Sequence, residues 1–153
     1  MSHLKVEKKE LIDYCTSFIE NQINHVQAVI NSAKESAQNE SKSSAGDKHE
    51  TGKSLLQLEQ ENNAILLQKM MTQKPVIQLL KDHKVSETIS LGSLIETNLG
   101  VYYIALGIGL VNLNDKKYFV ISPSAPVGKL FIGKKVGDEV TFNNKNITII
   151  DFC

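Results

Sequence analysis

Apolar residues recur at helical spacing through the first half of the chain and at strand spacing through the second. From about residue 7 to residue 40, Ile12, Ile19, Val26 and Ala33 fall seven positions apart, with Cys15, Val29, Ile23, Ile30 and Ala37 filling the neighbouring stripe. That pattern predicts a helix with one apolar seam. No proline or glycine interrupts it, so a continuous helix there would be about 50 Å long at ~1.5 Å per residue. A second helical run, SLLQLEQENNAILLQKMM, puts Leu55, Leu58, Ile65, Leu66 and Met70 on one side. The two runs can pair, and Gln22 and Asn62 interrupt the seam as polar residues that fix register at some cost in stability. Between the runs, QNESKSSAGDKHETG is small, polar and glycine-containing, as a reversal between antiparallel helices requires. The expectation is an antiparallel coiled-coil hairpin over residues 1–82 with its tip near 43–52.

The composition changes after Pro75. VIQLLKDHK reads as a short helix that continues past or restarts after the proline, which suits a first helical position or a kink. SLIETNLGVYYIALG holds two β-rich runs around Asn98-Leu99-Gly100, KKYFVIS is another run, and DEVTFNNKNITIID is a hairpin around Asn143-Asn144-Lys145. Only APVGKLFIGK interrupts them with helical character. Residues 83–153 thus read as a small, mostly antiparallel β domain with one short helix, which makes the whole chain α+β.

Seventeen Lys plus Arg balance seventeen Asp plus Glu, so contact with nucleic acid must rest on local patches, and free-standing DNA binding is not expected. The first residues, MSHLKVEKKELIDYC, lack the apolar run of a signal peptide, and no window has the roughly 18 to 20 apolar residues of a membrane span. The expected location is the cytoplasm, with no membrane partner. Cys15 and Cys153 have no partners at zinc spacing, and Cys15 reads as a small packed residue. His3, His25 and His83 have no acid or cysteine at ligand spacing and are assigned no role.

The stretch SSAGDKHETGKS ends like a phosphate-binding loop. Its spacing fails, because the first glycine of that motif would fall at Asp47, and no apolar strand feeds it. Asp47-x-x-Glu50 can be read in two ways from spacing alone. It is nearly a capping box, with Asp47 capping the second helix and Glu50 returning to the Asp47 backbone N–H. It is also a pair of carboxylates on an exposed reversal. Lys34, Lys42, Lys48 and Lys53 surround the pair with positive charge, and His49 sits between the two acids.

A helical hairpin followed by a β-rich domain containing ISPSAPVGKLFIGKKVGDEVTF, Ile121 to Phe142, resembles the bacterial GreA/GreB transcript-cleavage factors. The matching residues are Ser122-Pro123, Gly133-Lys134 and Gly137-Asp138-Glu139-Val140, together with Gly46-Asp47-Lys48-His49-Glu50 between the helices. The resemblance implies an FKBP-like C-terminal domain that docks on bacterial RNA polymerase, with the coiled coil entering the secondary channel. It implies that Asp47 and Glu50 act in trans as shared Mg²⁺ ligands at the polymerase's active site, and that the chain stimulates cleavage of backtracked RNA without being an enzyme itself. Lys42, Lys48, His49 and Lys53 would then meet the RNA 3′ segment or the polymerase. The family continues after its second acid with Asn and then Ala or Ser, where this chain has Thr51-Gly52. A channel regulator that does not cleave is the alternative, and an FKBP-like chaperone or isomerase is a further one. The isomerase would need an aromatic-lined cleft, which no stretch of the sequence marks. Reversal between the helices favours pairing within one chain, hence a monomer.

Overall fold

The computed structural model describes residues 2–41 and 46–153; within its helices, the side chains of residues 2, 36–41, 46–53 and 56 are outside the description. The elements run α1 Ser2–Ser41, α2 Gly46–Met71, α3 Lys74–Lys81, β1 Leu94–Thr97, β2 Gly100–Ile104, β3 Gly109–Leu113, β4 Lys116–Ile121, α4 Pro126–Phe131, β5 Glu139–Phe142 and β6 Lys145–Phe152. The chain is α+β, and it divides into two compact units. One is Met1–Thr16 with Pro75–Cys153, and the other is Ser17–Lys74. The pattern-based division after residue 82 follows periodicity, whereas this division follows contact and runs through the continuous helix α1. At 40 residues, α1 is about 60 Å long. Among the described residues no helix is long and apolar enough to cross a membrane.

The first unit is built on a six-stranded mixed sheet in the order β3-β4-β2-β1-β6-β5. Two of its hairpins close on two-residue loops, Asn114-Asp115 and Asn143-Asn144, with φ of 53° and 61° and of 52° and 63°. Positive φ at both central residues is the type I′ geometry that matches strand twist, and Asn and Asp tolerate it. β2 and β4 pair in parallel, Val101 beside Tyr118 and Tyr103 beside Val120, and this is the one departure from antiparallel pairing. Period-two alternation along the strands gives the sheet two apolar faces. On one, Ile95, Ile104, Ile147 and Ile149 pack with Phe131 of α4, Ile89, Val140 and Phe152. The other presents Leu94, Val101, Tyr103, Val111, Tyr118 and Val120, all buried.

The second face meets the first turns of α1. Lys116 Nζ lies 2.9 Å from Glu7 Oε1, and Asn114 Nδ2 donates to Glu10 Oε2 at 2.7 Å. Leu4, Leu11 and Cys15, at helical spacing on this part of α1, are fully buried, so Cys15 is the packed residue its context predicts.

In the second unit, Ile19, Ile23, Val26 and Ala33 are buried along α1, as the heptad pattern predicts. On α2, of the expected stripe only Met70 is packed among the described residues. Leu55, Leu58, Ile65 and Leu66 are exposed, while Gln60, Asn63, Leu67 and Met70 are half-buried. Positions 55, 58, 62, 65 and positions 60, 63, 67, 70 both follow three-four spacing, and apolar residues occur in both sets, so spacing could not choose between them. The polar interruption is therefore Asn63, not Asn62, and the Asn63 amide nitrogen is buried without a hydrogen-bond partner.

Before α4, Ala125 N–H donates to Ser122 O at 3.0 Å and Pro126 takes the first helical turn, where its missing N–H costs nothing. Gly128 lies over this turn, and a Cβ there would collide with the Ser122 carbonyl oxygen and come within 3.3 Å of Pro123 Cα. Both obstacles are backbone. Gly128→Ala is expected to destabilise the chain by about 1–3 kcal/mol in urea denaturation, and an unchanged midpoint would mean that the 122–125 turn yields freely. Asn63→Leu should raise stability by about 1 kcal/mol, because an unmet buried donor is replaced by an apolar group; a lower melting temperature would show that the amide has a partner in solution.

Candidate functional site

The acid pair singled out in the sequence falls at the start of α2. Asp47, Lys48, His49, Glu50 and Lys53 all lie on the helical backbone of Gly46–Met71, and their side chains are outside the described residues. Lys42 is outside the described residues altogether, and Lys34 is exposed on α1. Positions 47 and 50 are three apart in one helix and so occupy one face of it. Two carboxylates supply part of a hard-cation donor set, which magnesium completes with waters and phosphate oxygens. Among the described residues, no group of three or more His, Cys, Asp or Glu is placed to hold a metal ion.

The sheet unit carries concavities that the sequence did not mark. The first is a cleft of about 270 Å³ lined by Leu99, Tyr102, Phe119, Phe142, Lys145 and Ile147. Tyr102 stacks on Phe119 with ring centroids 5.1 Å apart and tilts against Phe131 at 4.9 Å. An aromatic-lined cleft therefore exists, contrary to the reading from sequence. It escaped that reading because its walls come from separate strands and turns, and only sheet register brings Tyr102 beside Phe119. Its volume is below the usual range for small-molecule pockets and suits an inserted side chain.

The second lies beside a buried polar chain. Lys8 of α1, 9% exposed, places Nζ 2.8 Å from His83 Nδ1, and His83 Nε2 is 3.2 Å from Ser90 Oγ. A Lys ammonium only donates, so His83 Nδ1 accepts, and the ring proton sits on Nε2 toward Ser90. Gly92 makes room for the ring, since a Cβ there would come 2.6 Å from His83 Cγ. Burial lowers the Lys8 pKa below its ordinary value. Burial, and then the neighbouring Lys8 charge, lower that of His83. Lys8 and His83 are 75 positions apart, a separation with no local signal.

Burial also favours the neutral form of two thiols and of several phenols in this unit. Burial pushes the Cys15 thiol up to about 12 and raises that of Cys153. Neither provides a thiolate nucleophile at neutral pH. Burial and the adjacent Glu7 carboxylate push the Tyr118 phenol up to about 12. Tyr103 is raised chiefly by burial, and its hydroxyl has no partner.

No protein-family model matches the chain, and no curated protein matches its sequence.

The His83 environment sets the sign of a pH effect. With the folded-state pKa below the unfolded value of about 6.5, the unfolded chain takes up a proton that the folded chain resists. Stability at His83 is therefore complete above about pH 6.5 and falls as pH drops toward the lowered folded value. Urea midpoints measured between pH 7.5 and 5.5 should decrease in the native chain and change less in His83→Gln. Equal slopes in the two proteins would place His83 in an environment no different from water.

Proposed function

We propose that this chain is a GreA/GreB-like transcription factor of bacterial cytoplasm that acts on RNA polymerase through its secondary channel and stimulates cleavage of backtracked RNA. In this reading Ser17–Lys74 is an antiparallel coiled-coil hairpin, and the sheet unit is an FKBP-like docking domain. The observation that carries the reading is the acid pair Asp47-x-x-Glu50 at the start of the second of two long helices, in a chain whose other unit is a six-stranded sheet. The segment Ile121 to Phe142 supports it, with Ser122-Pro123 and Gly128 packed at α4 and Asp138 Oδ2 accepting from Lys135 N–H at 2.8 Å.

Two carboxylates are an incomplete cage for magnesium and make sense as a contribution to a site completed by another protein. Asp47 and Glu50 would hold the ion, which supplies activation of a water or stabilisation of the leaving oxygen in an in-line displacement. Lys42, Lys48, His49 and Lys53 would meet the RNA 3′ segment or the polymerase, where positive charge serves phosphate contact. The chain itself is then a cofactor protein, monomeric, with chemistry performed by the polymerase.

One observation favours a different reading. The cleft around Tyr102, Phe119 and Phe142, with Asn143 and Lys145 also in its lining, offers aromatic rings of the kind a peptide-binding chaperone or prolyl isomerase needs. Such an activity would proceed without any polymerase.

The deciding experiment is an artificially backtracked elongation complex with 5′-labelled RNA, incubated with the chain and Mg²⁺. Shortened RNA that resumes extension is expected, and Asp47→Ala with Glu50→Ala should abolish it while binding to polymerase persists. Uncut RNA with the chain bound would make it a non-cleaving channel regulator and leave Asp47 and Glu50 as acids in the first turn of α2, where the helix dipole favours negative charge. No binding, with turnover of a proline-containing peptide, would establish the isomerase reading instead.

A further inference from the structure

A pocket of about 480 Å³ lies between the first turns of α1 and the end of α3, wholly within the sheet unit. Lys5, Lys8, Lys9 and Ile12 recur at i, i+3, i+4 and i+7, so one face of α1 brings three amines to its wall beside an apolar side chain. Lys81 adds a fourth amine from α3, and Asp13 is the one acid in the lining. Leu80 and Val85, with Ile12, make the apolar part of the wall. A concave site with four cations, one anion and low-polarity walls concentrates positive potential.

Lys8 is the unusual member. Its side chain is buried, and among the described residues no carboxylate lies within 4 Å of its ammonium. One of its three N–H donors goes to His83, whose ring is fixed from the other side by Ser90 and against Gly92. A buried ammonium paired only with a neutral imidazole bears a desolvation cost that a counter-anion would offset. Two of its donors remain to be used.

We propose that this pocket binds a phosphate monoester carrying a small apolar group, its phosphate on Lys8 with Lys5, Lys9 and Lys81 and its apolar group against Ile12, Leu80 and Val85. A dianion matches the excess of ammonium over carboxylate better than a monoanion does. The mixed lining, with Ile12, Leu80 and Val85 beside the amines, suits an organic ester with an apolar group over a purely polar polyanion. The site is independent of the acid pair, and the proposal does not rest on the transcription reading.

The test is a titration of the full chain with phenyl phosphate, inorganic phosphate and benzoate, followed by amide NMR. Phenyl phosphate should give saturable shifts centred on residues 5–13 and 80–85, with affinity roughly tenfold or more above the other two probes. Lys8→Met should abolish binding. Because Lys8 is buried and its loss also alters packing, the exposed pair Lys9→Gln with Lys81→Gln provides the second variant and should weaken binding roughly tenfold. Shifts that fail to saturate, equal affinity for benzoate or inorganic phosphate, or undiminished binding by the double variant would overturn the proposal. Phosphatidate vesicles in parallel separate the sources of the ester: co-sedimentation lost in the double variant assigns it to lipid, and its absence alongside phenyl phosphate binding assigns it to a soluble metabolite.

Discussion

The sheet has two apolar faces and only one short helix among the connections between its strands. α4, six residues long, fills one face with Phe131; the other would be left to water without the first turns of α1. Fully burying a large apolar side chain is worth about 1.5–3 kcal/mol. With Leu94, Val101, Tyr103, Val111, Tyr118 and Val120 on that face, the cover accounts for roughly 10 kcal/mol, comparable to the whole stability of a typical domain. That explains why Met1–Thr16 belongs with Pro75–Cys153 despite the intervening helices. It also gives α1 two duties along one unbroken backbone, since its remaining length, from Ser17, belongs to the other unit.

Polar contacts at this junction add placement more than energy. The Glu7–Lys116 pair is partly exposed, with 20% and 41% of the two side chains accessible, and an ion pair of that kind contributes at most about 1 kcal/mol. Together with Asn114 to Glu10, it ties α1 to the β3–β4 hairpin at its type I′ turn. Glu7 Oε2 and the Tyr103 hydroxyl are both buried without partners. The junction thus tolerates unmet polar atoms because the apolar area around them outweighs the cost, about 1–3 kcal/mol for each.

Local chemistry made much of the fold legible in the sequence. The turns around Asn98-Leu99-Gly100 and Asn143-Asn144-Lys145, the strand KKYFVIS, the short helix in APVGKLFIGK and the short helix near Pro75 all follow from turn residues, β-branched and aromatic runs, and proline geometry. β3 did not, because Gly107 and Gly109 break its apolar run and its side chains are mostly exposed. The parallel β2–β4 pairing was equally hidden, since no local signal encodes which strand a hairpin docks beside. The candidate sites divide along the same line. Asp47 and Glu50 stand close in sequence and could be seen; the Tyr102–Phe119 cleft and the Lys8–His83 contact join distant positions and could not.

The face of α2 shows where periodicity itself runs out. A helix with apolar residues in two heptad frames can pack through either, and the frame chosen here has Gln60 and Asn63 beside Leu67 and Met70, leaving Leu55, Leu58 and Ile65 more than half exposed. Among the described residues, the buried apolar side chains of Ser17–Lys74 are Ile19, Ile23, Val26 and Ala33 of α1. Long helices draw most of their stability from packing and little from intrinsic propensity. Among the described residues, the buried apolar side chains of Ser17–Lys74 all lie on α1, whereas the sheet unit carries them on both faces of its sheet.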